Sequence, residues 1–215
     1  SQFWEAPSTP QRPEEEKERD GEYYTMKYLP ESKLHPVEES EATGTVDQIY
    51  VDIKRDFQFP YLPNMIKTLA VSPAALTGAW GLYGGFLLNT TLPRALTSMI
   101  LYTVAESRDC EYCTVVNEFA CRNLGLDEES LRALVEDLDN VTPERIRAII
   151  AFALKVSHDP QGLIAEDFER LREHGITDEE VVDITLNAAM ATFFDILADS
   201  LKVEVDEVVA QGLGR

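Results

Sequence analysis

Apolar positions recur every three or four residues along most of this chain, and that spacing predicts helices. Val46, Ile49, Ile53 and Phe57 form one such face. Pro60 and Pro63 then force a break, because proline lacks the N–H that an inner helical turn requires. Ser72-Pro73 and Leu92-Pro93 each set a proline near the first position of a new helix, where the missing N–H is harmless. Asp109 is placed to cap a helix that runs to Gly125, a natural C-terminal stop. Asp127 opens the next helix, Thr142-Pro143 opens one ending near His158, and Gly175 stops another. Thr177, with Glu180 three residues on, reads as a capping box that starts a long apolar helix to about Val203. No stretch of any length alternates apolar and polar residues, so the expected fold class is all-α.

Two regions depart from this rhythm. Thr68 to Leu92 carries no charge, which invites a membrane-spanning reading. Ser72-Pro73 interrupts it, however, and Pro73 to Leu88 is only 16 residues, short of the ~20 needed to cross a bilayer. The next helix is also nearly uncharged up to Glu106, so the pair suggests the centre of a helical bundle with an oligomer interface, and no membrane contact is expected. Residues 1–45 hold five of the eleven prolines, the run Glu14, Glu15, Glu16, and few aliphatics. Such a segment cannot bury enough apolar surface to fold alone. Phe3, Trp4, Tyr23, Tyr24 and Tyr28 give it points of attachment, so the chain reads as an acidic, extended arm (1–45) on a helical domain (46–215).

Charge and cysteine usage narrow the setting. With 39 acidic and 19 basic residues the net charge is −20, which opposes nucleic acid, whose phosphates demand a basic footprint. Three cysteines are too few for a secreted disulfide framework. The N-terminus shows no basic start followed by an apolar run, so a reducing, cytoplasmic setting is expected.

The candidate chemistry lies in Cys110-Glu111-Tyr112-Cys113. Cysteines at i and i+3 share one helix face, near enough to bridge. They can be a redox-active dithiol, half of a metal site, or two buried structural thiols. With Asp109 as cap, Cys110 is the first helical residue, where unpaired N–H groups and the helix dipole favour a thiolate. Glu106, in the last turn of the preceding helix, is near enough to relay a proton. Tyr112 either lines a substrate entrance or packs the helix. Cys121 lies about 12 Å further along the same helix and reads as a buried apolar side chain. His158 and His174 suit cations at helix C-termini, and His35 has no evident role. With so few histidines and no second cysteine pair, neither a zinc site nor any other cofactor is expected.

Leu62-Pro63-Asn64, Ala70-Val71-Ser72-Pro73, the apolar helix after it and the helix leading to Cys110-x-Tyr112-Cys113 resemble the AhpD-like group of the carboxymuconolactone decarboxylase superfamily. The segments Thr177 to Ile184 and Leu197 to Val205 resemble the closing helix of its peroxidase-related members. The resemblance covers roughly residues 57 to 210. It implies an all-α fold assembled as trimers, hexamers or similar rings, and thiol peroxidase or disulfide-reductase activity. It further implies that Cys113 attacks a peroxide and becomes a sulfenic acid, that Cys110 condenses with it, and that an external dithiol protein restores the pair. The family places a histidine four residues after the second cysteine, where this chain has Asn117, and often a glutamate twelve before the first, where it has Ser98. Asparagine cannot take a proton at neutral pH, so the proton relay is altered, with Glu106 as the candidate substitute.

Two further readings stand beside this one. A catalytically reduced relative would serve as an assembly or scaffold protein through its acidic arm. Lactone decarboxylation would need groups other than the dithiol, and no histidine is set to provide them.

Overall fold

In the computed structural model, residues 34–57 and 60–215 are described, and among them every regular element is helical. The aromatic anchors and acidic run of the arm, from Phe3 to Tyr28, lie outside the described residues. The packing of the body reaches back to Val37. Its N–H donates to the Lys67 carbonyl at 3.0 Å, and its carbonyl accepts from the Tyr50 hydroxyl at 2.7 Å. A single 3-10 turn follows at Glu39–Glu41.

Helix α1 (Gly44–Phe57) buries Val46, Ile49, Ile53 and Phe57, the face its spacing predicts, together with Tyr50. After the proline break come α2 (Asn64–Leu69) and α3 (Pro73–Leu87), the latter capped by the Ser72 hydroxyl, which accepts from the Ala75 N–H at 3.3 Å. The next two helices are α4 (Arg94–Ser107) and α5 (Glu111–Asn123). Then come α6 (Glu128–Glu136), capped by Asp127, α7 (Glu144–His158) and α8 (Ala165–Glu173). Thr177 and Glu180 form the expected reciprocal capping box of α9 (Asp178–Leu201), and α10 (Glu207–Gly212) closes the described chain.

Two hydrophobic clusters organise these helices. The larger one gathers α4, α7 and α9, with α6 and α8 against them, around fully buried Ile100, Val104, Ile149, Ile150 and Ile184. Each such side chain contributes about 1.5–3 kcal/mol of burial energy. The smaller cluster joins α1, α2 and α3 to the start of α5 and the end of α9, and it contains Cys110 and Cys113. Phe194 on α9 packs against both. Among the described residues α9 alone is long and apolar enough to cross a membrane. One stripe of it, Ile184, Asn187, Ala188, Ala191, Asp195 and Ala198, is buried in the protein, while the opposite side is exposed.

The junction between α4 and α5 differs from the expected one. Asp109 does not cap α5; Cys110 occupies the N-cap position, and Asp109 sits in the left-handed region at φ 57°. There its N–H bonds the Glu106 carbonyl and the Cys110 N–H bonds the Ala105 carbonyl, both at 3.1 Å. Those two bonds close α4 in a Schellman motif, the pattern that usually places glycine at this point. Asp109 therefore ends one helix rather than beginning the next.

Candidate active site

The short turn at Asp109 delivers Cys110 and Cys113 to the same side of α5, inside the smaller core. Cys110 is fully buried, Cys113 is 6% exposed, and both thiols are free. Opposite them, α9 brings in Asp195, 2% exposed. The two sulfurs and a carboxylate oxygen of Asp195 all lie within 4.8 Å of one another. Cys110 Sγ also sits 3.9 Å from the Asp195 backbone carbonyl, as a weak donor. Arg108 Nε stands 3.4 Å from Asp195 Oδ2, an ion pair without hydrogen-bond alignment. Apart from the two neighbouring thiols, both carboxylate oxygens are therefore buried with no hydrogen-bond partner, a costly arrangement for a group that water would otherwise solvate.

Burial pushes the Asp195 carboxyl up to about 6, against the opposing pull of Cys113, Arg108 and Cys110. The Cys113 thiol is pushed far above its ordinary value, first by its contact with Cys110, then by burial and the charge of Asp195. At Cys113 the contact with Cys110, with burial behind it, opposes the thiolate that a helix N-terminus favours. At rest Cys113 is held as the thiol beside a carboxyl whose pKa burial raises to about 6.

Cys113 opens onto a cavity of about 110 Å³. Its wall is mainly aliphatic and aromatic, including Trp80, Tyr83 and Phe194, while Asn117 and Asp195 supply polar groups. Tyr83 and Phe194 meet edge to face with ring centroids 5.4 Å apart, and Trp80 meets Phe57 likewise at 5.3 Å. A dry cavity of roughly 150 Å³ holds a benzene ring, so the smaller space here takes a ligand below that size, or one that extends out of the cavity.

The other sequence candidates divide. Asn117 lines the cavity, and its Nδ2 donates to the Cys113 carbonyl at 2.8 Å. Tyr112 lines it too, but its hydroxyl is occupied: it accepts from the Met65 N–H and donates to Asp206 Oδ2, both at 3.1 Å. Glu106 is exposed and lies outside the cavity lining. Cys121 is buried in the larger core. His158 ends α7 with Nε2 2.8 Å from Ser107 Oγ, and His174 is the C-cap of α8. Sequence reasoning missed Asp195. Its signal was a solitary charge between Asp183 and Asp199 in an otherwise uncharged run, at helical spacing from Ile184, Ala188 and Ala191.

The all-helical body has the AhpD-like fold, as solved structures show. The alkylhydroperoxidase AhpD core of a peroxidase-related protein from Ralstonia eutropha JMP134 superposes with a TM-score of 0.70 at 24% identity, covering 81% of this chain and 95% of that one. A peroxidase-related protein from Silicibacter sp. TM1040 gives 0.73 at 22%, covering 86% and 97%. The debrominase Bmp8, as a cysteine-to-alanine variant in complex with 2,3,4-tribromopyrrole, gives 0.71 at 19%, covering 85% and 96%. At such identities the likeness establishes the AhpD-like fold. No known family profile matches the chain. A 45-residue stretch is 44% identical to an (R)-2-haloacid dehalogenase from Pseudomonas putida, spanning 21% of this chain and 15% of the dehalogenase.

Proposed function

We propose that this chain is a thiol-dependent oxidoreductase whose Cys113–Cys110 pair reduces a small organic hydroperoxide or disulfide. The observation that carries this reading is the site itself. One thiol faces an apolar cavity, the second is held behind it, and Asp195 lies within 4.8 Å of both. Asp195 takes the Cys113 proton as the thiolate attacks the peroxide. The S–O bond forms, the O–O bond breaks, and the alcohol leaves with the proton Asp195 returns. Cys110 then attacks the sulfenic sulfur, an S–S bond forms and water leaves; an external dithiol protein resets the pair by exchange. Asn117 keeps the backbone of Cys113 in place and borders the substrate. The likeness to an alkylhydroperoxidase AhpD core supports the same reading.

The test is consumption of an organic hydroperoxide with a dithiol reductant by the wild-type protein and by Cys113→Ser. Turnover that vanishes in the variant is expected, and equal turnover in both would remove the reading. A second reading draws on the debrominase and the dehalogenase stretch: two thiols and a carbon–halogen bond yield a disulfide, a C–H bond and hydrogen halide. Cysteine-dependent halide release from a small haloaromatic, without hydroperoxide consumption, would favour it. The chain's proposed physical partner is a second copy of itself, through the exposed apolar face of α9.

A further inference from the structure

We propose that the reduced Cys110–Cys113 pair and Asp195 together form a binding site for one thiophilic divalent cation of the zinc class, with one coordination position open to the cavity. The donor atoms come from two helices, yet all lie within 4.8 Å of one another. A tetrahedral ion with bonds of about 2.3 Å to sulfur and about 2.0–2.2 Å to carboxylate oxygen needs its donors roughly 3.5–3.8 Å apart. Small side-chain rotations close that difference. Asp195 supplies the independent observation: it is 2% exposed, and apart from the two thiols themselves neither of its oxygens has a hydrogen-bond partner. Arg108, at 3.4 Å and misaligned, compensates the charge of that buried carboxylate only in part, and a metal ion would complete the compensation.

Charge favours the same class of ligand. Binding releases both thiol protons, leaving two thiolates and a carboxylate. A dication and the neighbouring guanidinium together offset those three negative charges, so the buried site becomes neutral overall. Thiolate donors select zinc-like ions over magnesium or calcium, which take oxygen ligands. Three protein donors plus an open position is the pattern of an accessible zinc site rather than a closed structural one. Because the cavity lies against Cys113, the open position faces it and leaves room for water or a small ligand. The site does not depend on peroxide turnover; it requires only that the two thiols be reduced.

The test uses the full chain, reduced, treated with chelator and desalted. Co2+ is added first as a spectroscopic probe, and bound Zn2+ is then measured by competition against a metal indicator. One equivalent should bind, with the visible bands of tetrahedral Co2+ and thiolate-to-metal charge transfer in the ultraviolet. Cys121→Ser should leave both signals intact, and Cys110→Ser or Cys113→Ser should remove the two-thiolate signature. Asp195→Asn should weaken Zn2+ at least ~10-fold while keeping the charge-transfer band. Zinc X-ray absorption on the wild-type protein guards against misfolded variants, since it should report two sulfur neighbours and the rest oxygen or nitrogen. No binding at micromolar Zn2+, a shell of four sulfurs, or unweakened binding by a folded Asp195→Asn protein would overturn the proposal. Peroxidase failure with metal binding intact would remove the oxidoreductase reading alone.

Discussion

At the scale of single residues, the proposed chemistry turns on one carboxyl, Asp195. Asp195 sits where it can exchange protons with Cys113, so Asp195→Asn should lower hydroperoxide turnover in metal-free protein by about 10²–10⁴. Wild-type rates in that variant would deny it a proton-transfer role. Asn117→His should change kcat only a few-fold, because the carboxyl already provides what the imidazole would bring. A large gain would mean that Asp195 does not serve the thiol. The cysteines were legible as soon as their spacing was read, since two thiols at i and i+3 must share a helix face. Asp195 was not, because it is 82 residues beyond Cys113 in sequence and only the packing of α9 against α5 unites them. Glu106 had the better sequence claim and the worse position, its helix turning it outward to solvent.

At the scale of elements, two junctions hold the dithiol in place, and each has its own test. The Schellman turn puts Asp109 at φ 57°, a conformation that a branched side chain resists by about 1–2 kcal/mol. Asp109→Val should therefore lower the urea midpoint more than Asp109→Gly does. The other junction is the Tyr112 hydroxyl, which ties α5 to the head of α2 and to Asp206, the residue before α10. Asp206 also accepts from the Asn64 N–H at 2.7 Å. Tyr112→Phe should cost about 1–3 kcal/mol by leaving those buried partners unsatisfied. Burial raises the Asp206 carboxyl above its ordinary value of 3.8, outweighing the Asn64 and Tyr112 hydrogen bonds that lower it. The folded state thus holds this proton more tightly than the unfolded chain does. Its contribution is fully present below the unfolded value and is lost as pH rises through the folded one. Urea unfolding from pH 4 to 7 should show a downward slope in the wild type, to which the raised Asp195 carboxyl also contributes, and it should become shallower in Asp206→Asn; equal slopes would exclude Asp206 as a source. Helix identities were readable from caps and prolines, whereas the order of capping at Asp109 was not. Asp serves both as an N-cap and as a left-handed helix end, and only the backbone decides between them.

At the scale of the whole molecule, a net charge of −20 keeps copies apart unless a surface free of charge brings them together. The outer side of α9 is such a surface. Val182, Leu186, Ala189, Phe193 and Ile196 are all exposed on it, at alternating steps of four and three, the spacing of a helix seam that seeks a partner helix. On α3, exposed Gly78, Gly81 and Gly85 form a shallow face where an added Cβ would meet nothing within 4 Å. Large side chains on one helix and a smooth channel on another, carried by the same chain, suit a head-to-tail contact that can close into a ring. Val182→Glu combined with Leu186→Glu lies more than two turns from Asp195 along α9, so it alters the seam and spares the dithiol. In sedimentation velocity the wild-type protein should run as an oligomer and this variant as a monomer with unchanged helical circular dichroism. A monomeric wild type, or a variant that stays assembled, would show that α9 faces something other than its own copy. If turnover falls along with assembly, α9 transmits the state of the ring to the carboxyl it carries.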